Sequence, residues 1–233
     1  MKQAKSAGPI LDLAIEKFGR DKVITRQDAY KVFGAKCREE QSIIYDESEI
    51  IHCAYQNSDG ADYRLVFLNG FSLLNLISIV SRKRKTNLKF NDISDYVVNH
   101  PEYIKPYYVG YYLINFKGFP QSVLSFFSNS PFDRRNYVEE QQTQDLGKNF
   151  RAPESAIAES IFLFKHTYGE SIFNRVHHVG DRDRSGDRIT VGLLGSTIWI
   201  STTNLNICYS DSNITCNVLR PQRSDKECLK ISQ

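Results

Sequence analysis

Five residues between Glu170 and Asp183 carry side chains able to move protons or hold a metal: Glu170, His177, His178, Asp181 and Asp183. Imidazole titrates near neutral pH, and imidazoles and carboxylates are ordinary ligands of a divalent cation. Read as a helix starting at Glu170, positions 170, 174, 177 and 178 fall on one side, with Ile172, Phe173 and Val176 on another. Glu170, Asn174 and one histidine then share a polar face, with Asp181 or Asp183 folded back over it. The chemistry expected of such a group is phosphodiester cleavage. A magnesium or manganese ion on His178, Asp181 and Asp183 positions a water, and a neighbouring group relays the proton. This makes a metal-dependent nuclease, or another phosphodiesterase, the enzymatic expectation. Its weak point is geometric. Adjacent histidines point about 100° apart on a helix, His-His is not the H-x-x-x-H spacing of a helical zinc site, and no third ligand is fixed by spacing.

Two sharper motifs start here and fail. Asp181, Asp183, Ser185 and Gly186 match the opening of a calcium loop, but Arg188 takes the apolar position and Gly192 the place of the bidentate glutamate. Gly195-Ser196 lacks the outer glycines of a G-x-S-x-G nucleophile elbow. Gly192 and Gly195 are only two glycines in a strand pattern, where they mark a bulge or a close backbone approach rather than a phosphate loop. Ordinary NTP-driven and nicotinamide chemistry are thereby disfavoured.

A second constellation is basic. Arg82, Lys83, Arg84 and Lys85 run together, with Lys89 close by and no acid from 71 to 91. One or two cations at a helix C-terminus offset its dipole; four in a row exceed that need and suit phosphates. Near the start of the chain, three short helical patterns resemble a helix-turn-helix arrangement. In that reading Ala35 to Gln41 is the recognition helix, with Lys36 and Arg38 toward DNA, although Glu39 and Glu40 would face phosphates too.

The elements that must position these residues follow from periodicity and punctuation. Pro9 suits the first turn of a helix in which Ile10, Leu11, Ala14, Ile15 and Phe18 recur, stopped at Gly19. Thr25 and Asp28 form a capping box for a second helix ending near Gly34. Ile43 to Tyr45 and Ile50 to Tyr55 read as short strands, and Tyr63 to Leu68 as a buried one. A hairpin there would be the wing of a winged helix, or the first edge of a larger sheet. Ser72 opens a helix to about Val80, with Leu73, Leu76, Ile77 and Val80 inward. Further on, a short helix is expected near Ile93 to Val97, a tyrosine-rich strand over 107–116 and an apolar helix over 120–127. Residues 128–152 turn polar and form a mobile segment. Pro153-Glu154 opens a helix with Ile157, Ile161 and Phe164 buried, broken at Gly169. Ile189 to Thr203 is one long β stretch holding Trp199, the only tryptophan, and Leu205 to Tyr209 and Ile214 to Leu219 read as a hairpin.

Composition bounds the rest. The chain has 233 residues, 24% charged and 41% hydrophobic, which excludes wholesale disorder and supplies a core without covalent staples. Five scattered cysteines form no C-x-x-C and no closed disulfide set, so reduced thiols and a cytoplasmic location are expected. The longest uncharged run, 65–81, is too short and too interrupted to span a bilayer. A net charge of +3 decides nothing alone; its distribution does.

The expectation is an α+β protein: a helical N-terminal subdomain over 1–57, winged-helix-like in one reading, then an α+β main domain over 58–233. That main domain ends in an antiparallel sheet formed mainly after residue 188. The leading functional expectation is nucleic-acid binding, DNA foremost, through Lys36, Arg38, Arg82, Lys83, Arg84 and Lys85. The nuclease is the alternative. A protein-interaction module presenting the aromatic β-surface to a protein partner is the third reading.

Overall fold

The computed structural model describes residues 8–39, 43–83, 87–91, 107, 109–120, 149–172, 177–182, 188–203 and 213–219. The α+β expectation holds: among the described residues, five α-helices accompany one nine-stranded mixed sheet. The helix over Gly8–Phe18 (α1) forms as its apolar spacing predicts and turns at Gly19, where φ is +92°. Thr25 then caps Arg26–Phe33 (α2) with the expected box: its side chain accepts from the Asp28 N–H, and Asp28 reaches back to the Thr25 N–H. Ser72 caps Leu73–Ser81 (α4) by accepting from the Asn75 N–H. Among the described residues, no helix is long and apolar enough to cross a membrane.

Several elements differ from expectation. The third helix over Ala35 to Gln41 is only a 3-10 turn at Gly34–Lys36, because the chain leaves helical dihedrals at Cys37. A recognition helix is therefore not formed there. The strand expected at Ile50 to Tyr55 is instead a helix, Glu47–Ser58 (α3). Asp46 and Glu49 supply reciprocal caps that fix its start, and this local bonding overrides the β-preference of the two isoleucines. With the wing's strand turned into α3, the winged-helix arrangement is not what forms.

The sheet runs in the order Val23–Ile24 (β1), Tyr63–Leu68 (β2), Gly110–Pro120 (β4), Asn213–Leu219 (β9), His177–Arg182 (β6), Arg188–Leu194 (β7), Thr197–Thr203 (β8), Lys89–Phe90 (β3). Asn149–Arg151 (β5) lies off this path, antiparallel to β9. The last strands are not a purely antiparallel sheet, since β9 inserts between β4 and β6 and runs parallel to β6. The long β stretch from Ile189 is cut in two by Gly195-Ser196. Gly195 has φ +61° and turns the chain, so that Leu194 pairs with Thr197 across a two-residue loop. At the other end β1 pairs in parallel with β2, so residues on both sides of position 57 share one sheet.

Glu154–Tyr168 (α5) is the centre of the core. Ten consecutive residues, Ser155 to Phe164, are buried, so it is covered all round rather than along the expected stripe of three. It packs on β7, β6 and β2 and against α2 and α4. It ends at Gly169, where the break was expected, with that glycine left-handed at φ +71°. The helix read at Ile93–Val97, the strand at 205–209 and nearly all of the polar segment 128–152 fall outside the described residues, as does the helix read at 120–127 apart from Pro120, which ends β4.

Candidate functional site

The structure brings two of the basic residues together from distant sequence. Lys36 ends the turn after α2, and Lys83 follows the end of α4, where its N–H bonds to the Val80 carbonyl at 3.0 Å. Their meeting point is Phe33, the last residue of α2. Its ring stacks on Phe162 of α5 at 5.7 Å and meets Phe71 edge-on at 5.1 Å. The Lys83 ammonium lies 5.8 Å from the Phe33 ring centre, within cation–π range. Partial burial pushes the Lys83 pKa down, and the charge of Lys36 pushes it down further. His166 packs on the other side of Phe162, ring centres 4.4 Å apart, and is shifted down by burial and then by Lys83. Two lysines and a histidine thus feel one another around an aromatic pair.

Among the described residues no acid pairs with Lys36 or Lys83. Arg20, Lys22, Lys31 and Arg64 each have a carboxylate partner, whereas Lys36, Arg38, Arg82 and Lys83 have none among the described residues. Lys36, Arg38 and Arg82 are exposed. Part of the charge has a structural role, because Lys36 and Lys83 follow the ends of α2 and α4 and a cation offsets a helix dipole there. Arg84 and Lys85 lie outside the described residues.

The acid–histidine group is arranged otherwise than the helical reading supposed. His177 and His178 begin β6, opposite Gly192 and Val191 of β7, because that segment finds ladder partners in both β7 and β9. Adjacent positions of a strand belong to opposite faces of a sheet, so the shared helical face does not exist. Asp181 lies further along β6, and Asp183 is outside the described residues. Glu170 is already engaged: its two oxygens accept from the Arg64 guanidinium at 2.5 and 2.8 Å. Arg64 also donates to Asp62, at 2.8 and 3.0 Å, and packs over the rings of Phe164 and Phe116. Among the described residues, no group of three or more His, Cys, Asp or Glu is placed to hold a metal.

Sequence reasoning missed a buried carboxylate. Glu159, wholly buried in α5, accepts from the Asn69 N–H at 2.8 Å, the Asn69 amide at 2.9 Å and the Tyr107 hydroxyl at 2.5 Å. Burial raises its pKa, and these neutral donors, with the Phe71 N–H, only partly offset that. The Asn69 side-chain oxygen in turn accepts from the Arg38 N–H at 2.8 Å. This carboxylate therefore anchors the turn that carries Lys36 and Arg38. A signal was present: Glu159 is the only charged residue between Ser155 and Phe164.

No protein-family model matches the chain, and no curated protein or solved structure matches it.

Proposed function

We propose that this chain binds nucleic acid through the cationic surface formed by Lys36, Arg82 and Lys83, extended by Arg38; Arg84 and Lys85, next in the sequence, belong to the same proposal. The observation that carries this is the convergence of Lys36 and Lys83 at Phe33, Lys83 over its ring and Lys36 in the turn that follows it, with no carboxylate partner for either among the described residues. Holding like charges together without compensation costs free energy, and a polyanion returns it by releasing its own counterions. DNA is the first ligand to test. The recognition-helix route to base reading has lost its helix, so the surface grips the backbone and carries no sequence code.

The test compares wild type with the Lys36→Gln/Lys83→Gln double variant on labelled 20-nucleotide DNA and RNA, single-stranded and duplex, across a salt series. Glutamine keeps the alkyl stem over Phe33. Two lost phosphate contacts flatten the slope of log affinity against log salt by about 1.4 on single strands and about 1.8 on duplex. A double variant that melts like wild type and binds with the same affinity and slope overturns the proposal.

A further inference from the structure

The sheet carries a second feature that suits nucleic acid, on the face opposite its core. In β7 and β8 the core face is made by Ile189, Val191, Leu193, Ile198 and Ile200, each at most 2% exposed. Trp199 alternates to the other face, where it is 41% exposed. Tryptophan is usually well buried, so a half-open indole on a sheet surface asks for a reason. Its cross-strand partner is Gly192, which is itself buried although it stands in this outward row. A glycine opposite an indole contributes no side chain to the row. The ring can then lie across the glycine backbone with its other face to solvent.

The surroundings of Trp199 have a sign. The register places Lys89 of β3 beside Thr197, one strand over and two residues along from Trp199, about 8 Å away. Lys89 is exposed, as is Leu194 in the same row. The described side-chain positions of β3, β7 and β8 on this face are Lys89, Thr190, Gly192, Leu194, Thr197, Trp199 and Ser201, of which Thr190 and Gly192 are buried, and none of the seven is acidic. Lys89 is also six residues beyond Lys83, so at most about 20 Å of chain separates them. α4 packs on β3, which makes β3 the edge around which the helix-side cations and the Trp199 face meet.

We infer that Trp199 is a stacking platform for an unpaired nucleobase, with Lys89 placed to take the adjoining phosphate. The bound ligand is then a single strand that turns around the β3 edge from Lys83 to Trp199. The inference rests on the nucleic-acid reading above and narrows it. Stacking needs a base free of its partner, and an aromatic platform beside a cation accepts any base because each has a flat face. A duplex is too stiff to bend around one sheet edge, and its bases are closed to the indole.

Because Trp199 is the only tryptophan, its fluorescence reads the contact directly. Wild type is titrated with a 16-nucleotide single strand of thymidylates and with a duplex of equal length, following both indole emission and the anisotropy of an end label. The expected result is saturable quenching by the single strand alone, at the concentrations where anisotropy rises. Trp199→Ala should weaken single-strand binding roughly 5- to 150-fold, while Trp199→Phe, which keeps a flat ring, retains most of it. Lys89→Gln should lower the single-strand salt slope by about 0.7. Single-strand binding that leaves wild-type emission unchanged, or that survives intact in a folded Trp199→Ala variant, overturns the platform and leaves the cationic surface standing. No binding of either ligand by wild type overturns both proposals.

Discussion

At the scale of single residues, the polar groups fixed by near neighbours could be read from sequence and those fixed across the fold could not. Thr25 with Asp28, and Ser72, announce themselves because a capping side chain bonds three residues away. Glu159 meets Asn69 across 90 positions and Arg64 meets Glu170 across 106, so neither pairing leaves a local trace. Glu159→Ala should cost about 3 kcal/mol in urea unfolding at neutral pH, since the Asn69 N–H and the Tyr107 hydroxyl lose their acceptor in a dry site. The Gln variant tests the charge separately. The folded pKa of Glu159 is raised above the ordinary 4.5. Below that value both states are protonated. As pH climbs through it, the unfolded chain ionises first and stability falls until the folded carboxyl ionises too. The stability margin of wild type over Glu159→Gln should therefore be largest in acid and shrink above pH 4.5. A margin that grows with pH would show that the buried group is held as a carboxylate.

At the scale of elements, length and punctuation decided what was legible. α5 and α4 are long apolar patterns bounded by Pro153, Gly169 and Ser72, and both form where expected. The segment around Ile50 gave a false strand because paired isoleucines and a tyrosine favour β structure, while the deciding bonds are two backbone-to-carboxylate contacts at its start. The helix read from Glu170 through His178 fails at its two histidines for the opposite reason: they open β6, whose conformation is set by β7 and β9, which no local pattern reveals. Asp46→Ala should lower stability by about 1 kcal/mol through lost capping of α3, measured as a shift in the urea midpoint at constant m-value. An unchanged midpoint would mean that tertiary packing alone holds that helix start.

At the scale of the whole molecule, sheet and core both include residues from each side of position 57, where the helical N-terminal subdomain was expected to end. β1 pairs with β2, and Ala14, Val23, Ala29 and Phe33 belong to the same buried cluster as Leu65, Ile157 and Ile200. The N-terminal helices and the Trp199 strand should accordingly unfold together. Far-UV circular dichroism, weighted toward the helices, and Trp199 emission should give coincident urea transitions. Separate midpoints would restore two independent units. The basic residues illustrate the same limit on sequence reading. Their identities were visible, but the partnership of Lys36 with Lys83 depends on Phe33, packed on Phe162 of α5, bringing the ends of α2 and α4 together.

The nine-stranded sheet closes at both extremes with a strand of just two residues, Val23–Ile24 at one margin and Lys89–Phe90 at the other. Each offers a stranger chain too few free backbone groups to dock against, and at one of them a lysine would have to be stripped of water first. So wide a β surface would otherwise invite polymerisation. Ended in this way, it can reach high local concentration without neighbouring copies zipping edge to edge.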